Sequence, residues 1–144
     1  MTNSASNKAL LQNVFLELAN GNGRPFLDLM AEDMTWTVLG TTTWSRSYRG
    51  KRAVVEDLMR PLFAQFADRY TNTAQRFIAE DDYVVVECNG QVTTKAGQPY
   101  NNRYCYICHF EAGKLRELTE YLDTELVATA LASYPGARSA KTES

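Results

Sequence analysis

Glu87 and Glu120 are the residues best suited to proton chemistry. Each sits in a run whose alternate positions are apolar: Glu87 shares a strand face with Val85, and Glu120 shares one with Leu118 and Leu122. A carboxylate with apolar walls and a second carboxylate nearby resists ionising, so its pKa rises toward the range useful to a general acid or base. The expectation is that Glu120 transfers a proton and that Glu87 partners or orients it. The plainer alternative leaves either side chain on an exposed strand face or pairs it with Arg103 or Arg116. Tyr48, Asn102 and Tyr104 offer neutral donors for a ligand carbonyl or hydroxyl, and Trp36, Phe63 and Phe66 would wall the pocket. Ordinary packing explains these six equally well.

Other chemistries find less support. Cys105 and Cys108 are three apart on a strand, which turns their side chains to opposite faces, so one site cannot use both. His109 is the single histidine; it gives no cluster for zinc or iron and no base for a serine nucleophile, and packing is its better explanation. No metal and no organic cofactor are expected. Gly21-Asn22-Gly23 follows a helix and lacks the third glycine of a dinucleotide fingerprint, so it reads as a turn. Arg46, Arg49, Lys51 and Arg52 could greet an anionic ligand, although solvated charge at a helix start is the commoner explanation.

The elements that must position these residues are set by period and punctuation. Leu10, Leu11, Val14, Phe15 and Leu18 form one helical stripe between Lys8 and Asn20, and Pro25 opens a short second helix. Met34 to Leu39 reads as a strand. A long helix carries Val54, Leu58, Leu62 and Phe66, with a kink expected at Pro61, whose ring removes the bond to the carbonyl of Asp57. The period then changes to two, giving strands over Thr71 to Glu80, Tyr83 to Thr94, Gln98 to Phe110 and Lys114 to Asp123. The short connections at Glu80-Asp81-Asp82, Lys95-Ala96-Gly97 and Glu111-Ala112-Gly113 predict an antiparallel meander. Asp123-Thr124 caps a last helix that stops before Pro135-Gly136. The fold class is therefore α+β, one domain over residues 1–134 with a disordered tail over 135–144.

Composition narrows the setting. The 144 residues, 44% of them hydrophobic, can bury a core without metals or disulfides. Fifteen basic against 17 acidic side chains leave a net charge of -2, with no excess to neutralise phosphates, so nucleic acid is not an expected partner. No apolar run approaches the roughly 20 residues that span a bilayer, and Met1 to Asn7 are polar. With three cysteines, an odd number, the expectation is free thiols in the cytoplasm. The consecutive Val84, Val85 and Val86 and the nearly unbroken apolar run Tyr104 to Phe110 want cover on both faces of the sheet. One small domain supplies helices for only one face, so a homodimer through the other is expected.

Several runs carry a family resemblance: Met34-Thr-Trp-Thr-Val-Leu-Gly40; Tyr48-Arg-Gly-Lys51 opening a helix; Tyr83-Val-Val-Val-Glu87 and Gly90; Gly97-Gln-Pro-Tyr100-Asn-Asn102-Arg-Tyr104; Gly113-Lys-Leu115; and Glu120-Tyr-Leu-Asp-Thr124. In order and spacing they resemble the SnoaL-like, ketosteroid-isomerase-like branch of the nuclear transport factor 2 superfamily, over about residues 8 to 132. The resemblance implies a cystatin-like cone: a curved antiparallel sheet wrapped by N-terminal helices around an apolar cavity for a small hydrophobic molecule, commonly in a homodimer. The steroid isomerases it resembles carry a tyrosine and an acidic base nearest to Val14 and Val38, both apolar here. In limonene-type epoxide hydrolases the Asp-Arg-Asp set would fall near Asn89, Glu87 and Glu120, of which only Glu120 is chemically similar. The expected function is that of a cofactor-independent isomerase, cyclase or hydrolase working by carboxylate acid/base chemistry. The alternatives are a non-catalytic module that sequesters a hydrophobic metabolite, and an oligomerisation domain whose cavity is packed shut.

Overall fold

The period-two runs of the second half form four consecutive antiparallel strands, β3 (Thr71–Glu80), β4 (Tyr83–Gln91), β5 (Arg103–Glu111) and β6 (Lys114–Leu122). This computed structural model describes residues 3–137, so residues 138–144 of the expected tail lie outside the described residues. Two strands from the first half complete the sheet: β1 (Met30–Val38) and the short β2 (Ser47–Arg49). The order is β2-β1-β6-β5-β4-β3, and every pairing is antiparallel except β1 with β6, which is parallel. Register shifts between Met30 and Thr35, Ala74 and Arg76, and His109 and Phe110 bend the strands, so the unclosed sheet curls around one concave face.

The strand ends depart from expectation around the third connection. Regular pairing in β4 ends at Gln91 and resumes in β5 at Arg103, because Pro99 cannot donate to a ladder and Asn101 turns its side chain back to accept from the Val92 amide at 3.1 Å. A narrow arm remains, held by isolated bridges between Thr93 and Pro99 and between Phe66 and Thr94.

Helix α1 (Asn3–Leu18) begins earlier than its apolar stripe and packs on β3 and β4 through Leu11, Val14, Phe15 and Leu18, while Leu10 faces out. Gly21, at φ 82°, ends it, with the Asn22 amide donating to the Glu17 carbonyl at 2.9 Å. The short α2 (Arg24–Leu29) has Pro25 in its first turn and buries Phe26 and Leu29. Its chain runs directly into β1. These side chains and the inner faces of β4, β5 and β6 make one continuous core, and each fully buried Leu, Phe or Met within it contributes about 1.5–3 kcal/mol. No helix among the described residues is long and apolar enough to cross a membrane.

The long helix is interrupted, though not by a simple proline kink. It comprises α3 (Lys51–Ala53), a widened π-helical stretch (Val54–Met59) and α4 (Arg60–Phe63), and it stops short of Phe66. The widening precedes Pro61: the Arg60 amide reaches five residues back, to the carbonyl of Val55. Pro61 has no amide to offer Asp57, and the hydroxyl of Tyr134 donates to that Asp57 carbonyl at 2.7 Å instead. The segment beyond α5 (Thr124–Ala130) is thereby tied across the helix. Its other ties include Trp44 Nε1 to the Ala132 carbonyl at 2.9 Å, the Ala132 amide to Gln65 Oε1 and the Tyr134 amide to Thr43 Oγ1, both at 2.8 Å, and the Arg46 guanidinium 4.0 Å over the Tyr134 ring. Tyr134→Phe should lower unfolding free energy by about 1 kcal/mol, because it removes one hydrogen bond and keeps the ring. Urea denaturation measures this; an unchanged midpoint would show that water replaces the hydroxyl without loss.

Candidate functional site

Parallel pairing of β1 with β6 sets Val38 opposite Glu120 and Trp36 opposite Leu118, while β5 brings Tyr106 to the other flank of Glu120. Period-two alternation turns Trp36, Val38, Tyr104, Tyr106 and Glu120 all to the concave face. There they line a cavity of about 80 Å³, closed from the helix side by Leu58, Met59, Leu62 and the half-exposed Phe63. Trp44, Val127 and Leu131 also line the cavity, which stays partly open to solvent. Gly90 makes room within the concave wall. A Cβ there would lie 2.8 Å from the Tyr70 hydroxyl oxygen and 3.1 Å from the Tyr104 ring, so only glycine lets these two rings sit over β4.

Glu120 is buried, with 7% of its surface exposed. Trp36 Nε1 donates to its Oε1 at 2.7 Å, and no hydrogen bond from the described residues reaches Oε2. Burial disfavours the charged carboxylate and raises its pKa from 4.5 to about 7, with the indole bond pulling weakly the other way. Facing it are hydroxyl groups held in a chain: Tyr70 donates to the Tyr104 oxygen at 3.2 Å, and Asn72 Nδ2 approaches the Tyr70 and Tyr106 oxygens at 3.3 and 3.5 Å. Burial pushes the phenols of Tyr70, Tyr104 and Tyr106 well above their ordinary range, so all three remain neutral. The arrangement can therefore hold or move one proton at Glu120 while uncharged polar groups meet a ligand oxygen.

Of the residues singled out from sequence, Trp36, Phe63, Tyr104 and Glu120 line the cavity, and the other four do not. Glu87 lies on the convex face, because Val84, Val86 and Cys88 take the concave positions of β4; its half-exposed carboxylate binds Arg76 at 2.9 Å. It is neither near Glu120 nor paired with Arg103 or Arg116. Tyr48 is buried behind the wall, and its hydroxyl donates to the Trp44 carbonyl at 2.8 Å. Phe66 backs the wall by stacking on Tyr70 and Tyr100, with centroids 5.6 and 6.2 Å away.

Asn102 is fully buried, and its polar atoms are committed to the fold. Nδ2 donates to the Asp123 carbonyl at 3.1 Å and to Tyr100 at 3.2 Å, while Oδ1 accepts from the amides of Arg103 and Asp123 at 2.7 and 3.0 Å. It locks the start of β5 to the end of β6, where Asp123 then caps α5 by accepting from the Leu126 amide. Asn102→Ala would take the side-chain acceptor from the amides of Arg103 and Asp123, while the Asp123 carbonyl keeps the Val127 amide, and should cost about 1–3 kcal/mol of stability. Thermal denaturation would show it; a stable variant with weakened ligand binding would restore the binding role.

Sequence reasoning missed Tyr70, Asn72, Tyr100 and Tyr106. Tyr106 could have been found, since it is two residues from Tyr104 and must share its face. Tyr70 and Asn72 carried no comparable signal, because their place depends on how the first turn of β3 crosses Gly90. His109 and Cys105 lie toward the convex side and Cys108 is buried on the concave side, as their spacing required.

No functionally curated protein matches this chain. Among solved structures, an NTF2-like protein of unknown function from Burkholderia pseudomallei superposes with a TM-score of 0.74 at 18% identity, covering 92% of this chain and all of its own, 100%. A candidate SnoaL-like polyketide cyclase from a Jannaschia species gives 0.73 at 16% identity, covering 92% and 95% of the two chains. TerC, co-crystallised with polyporic acid, gives 0.71 at 17% identity over 86% and 96%. At such identities these likenesses show the fold alone. The model of the SnoaL-like domain family matches residues 11–118, which is most of the sequence and stops two residues short of Glu120. By that match and by its curled six-stranded sheet, the chain belongs to the SnoaL-like domain family, within the NTF2-like fold.

Proposed function

We propose that this protein is a cofactor-independent enzyme of the isomerase, cyclase or hydrolase type, acting on a small, mostly apolar molecule with Glu120 as its proton-transferring group. The observation that carries this reading is a buried carboxylate held by a single indole hydrogen bond at the wall of an apolar cavity, its pKa raised to about 7. With Glu87 on the convex face the cavity has one carboxylate, which suits a reaction in which the same group takes a proton and returns it. Isomerisation and aldol-type cyclisation have that form. The test is deuterium exchange beside the carbonyl of small ketones in heavy water, monitored by proton NMR. Catalysed exchange supports the enzyme.

The lone carboxylate also favours a second reading, a binding module that sequesters its ligand, since no separate acid shares the cavity to protonate a leaving group. Ketones that bind and never exchange would select it.

We also propose that two copies pair through the convex face. Ile78, Tyr83 and Tyr121 stand exposed there at 56%, 46% and 46%, beside the half-covered Val85 and Ile107. Sedimentation should find a species of twice the 16.2 kDa chain mass, and Ile107→Lys should shift it to the monomer. A wild-type monomer at high concentration would end that proposal.

A further inference from the structure

The charge inventory of the cavity is one-sided. Among the described residues lining it, Glu120 is the single group that can carry a charge near neutral pH, and none is lysine, arginine or histidine. The Arg46 guanidinium lies over the Tyr134 ring, 4.0 Å from its centroid, and does not line the cavity. Tyr70, Tyr100, Tyr104 and Tyr106, the other titratable groups lining the cavity, are kept protonated by burial, as are Tyr48 and Cys88 in the packing around it. A carboxylate, phosphate or sulfate entering here would shed its water, find no positive partner, and meet a second negative charge.

We propose that the cavity is a charge filter: it admits neutral organic molecules that present a hydrogen-bond acceptor and refuses anions, and the carboxylate of Glu120 is the specificity-determining group. The filter rests on the cavity being the ligand site, as the proposed function has it, but not on any turnover. It assigns the substrate to neutral carbonyl compounds such as ketones, amides or esters. It removes carboxylic acids, phosphate esters and other ionised metabolites, even those whose hydrocarbon part would fit. The donors for the acceptor are the hydroxyls of Tyr104 and Tyr106, which accept from Tyr70 and Asn72 and line the same cavity as the acid.

Benzamide and benzoate test this directly, because they are planar, nearly isosteric, and differ in charge. Titration calorimetry at about pH 8 should show benzamide binding at least about tenfold more tightly than benzoate. Glu120→Gln keeps shape and the indole bond while removing the charge, and should tighten benzoate by about tenfold with benzamide within a few-fold, leaving only the cost of stripping water from an anion that meets no cation. Should that variant not fold, the wild-type protein answers instead. Between about pH 8 and pH 6 benzoate, ionised throughout, should bind about tenfold more tightly as Glu120 takes up its proton, and benzamide should not change. Equal affinities in the wild type, selectivity left undiminished by both Glu120→Gln and the change of pH, or no binding of either probe would overturn the filter. Loss of deuterium exchange bears on the catalytic reading alone, so the two can fail separately.

Discussion

Glu120→Gln should reduce deuterium exchange of bound ketones by about 10²- to 10⁴-fold while leaving their affinity within a few-fold of wild type. The amide is the same size, can accept from Trp36 Nε1 where the carboxylate accepts at 2.7 Å, and cannot take a proton from carbon. A loss in rate without a loss in binding is the signature of an interaction made in the transition state. The pH profile supplies a second check. With the carboxyl pKa raised to about 7 by burial, the wild-type rate should rise with pH to a plateau above that value, because the ionised form is the base. Exchange that is equal in the two proteins, or a profile flat across neutrality, would remove Glu120 from the chemistry.

The same substitution should stabilise the fold, and the effect should depend on pH. Below the ordinary carboxyl pKa of 4.5 the group is protonated folded or unfolded, and burial carries no ionisation penalty. As pH rises toward 7 the unfolded chain releases its proton while the folded protein retains it, so stability falls. Above about 7 both states are ionised and the loss is constant. The shift from 4.5 to about 7 corresponds to a loss on the order of 3 kcal/mol. Glu120→Gln escapes it, so its midpoint should match the wild type near pH 4 and exceed it by on the order of 5–10 °C near pH 8. This is the expected behaviour of a site where function is kept at the expense of stability. A variant less stable than wild type at all pH values would mean that the buried carboxylate has partners beyond the indole.

Much of the candidate site was legible, and the misses share one cause. Trp36, Tyr104 and Glu120 were found because alternation in a strand assigns a side chain to a face once any neighbour's face is known. Glu87 was misplaced because Val84, Val85 and Val86 are all apolar, which conceals which of the two faces points inward. Helix α1 settles the matter by covering Val84 and Val86 from the concave side and leaving Val85 and Glu87 outside. Asn102 and Tyr48 look like ligand donors in the sequence because it supplies the inventory of polar groups but not their partners. In the fold, backbone groups from β5, β6 and the loop before β2 had already claimed them.

Local pattern alone was enough for the α+β class, the four-strand meander and the Asp123 cap, whereas the break in the long helix took the form of a π-helical stretch ahead of Pro61. The first three rest on contacts between residues close along the chain, where period and turn chemistry decide the outcome. Only the tertiary structure decided that β1 lies parallel to β6, that Glu120 therefore meets the Trp36 indole 84 residues away, and that its carboxylate stands alone among neutral rings. Pairing over such a distance is settled by how the whole apolar surface is best buried, and that quantity is written in no local stretch of the chain.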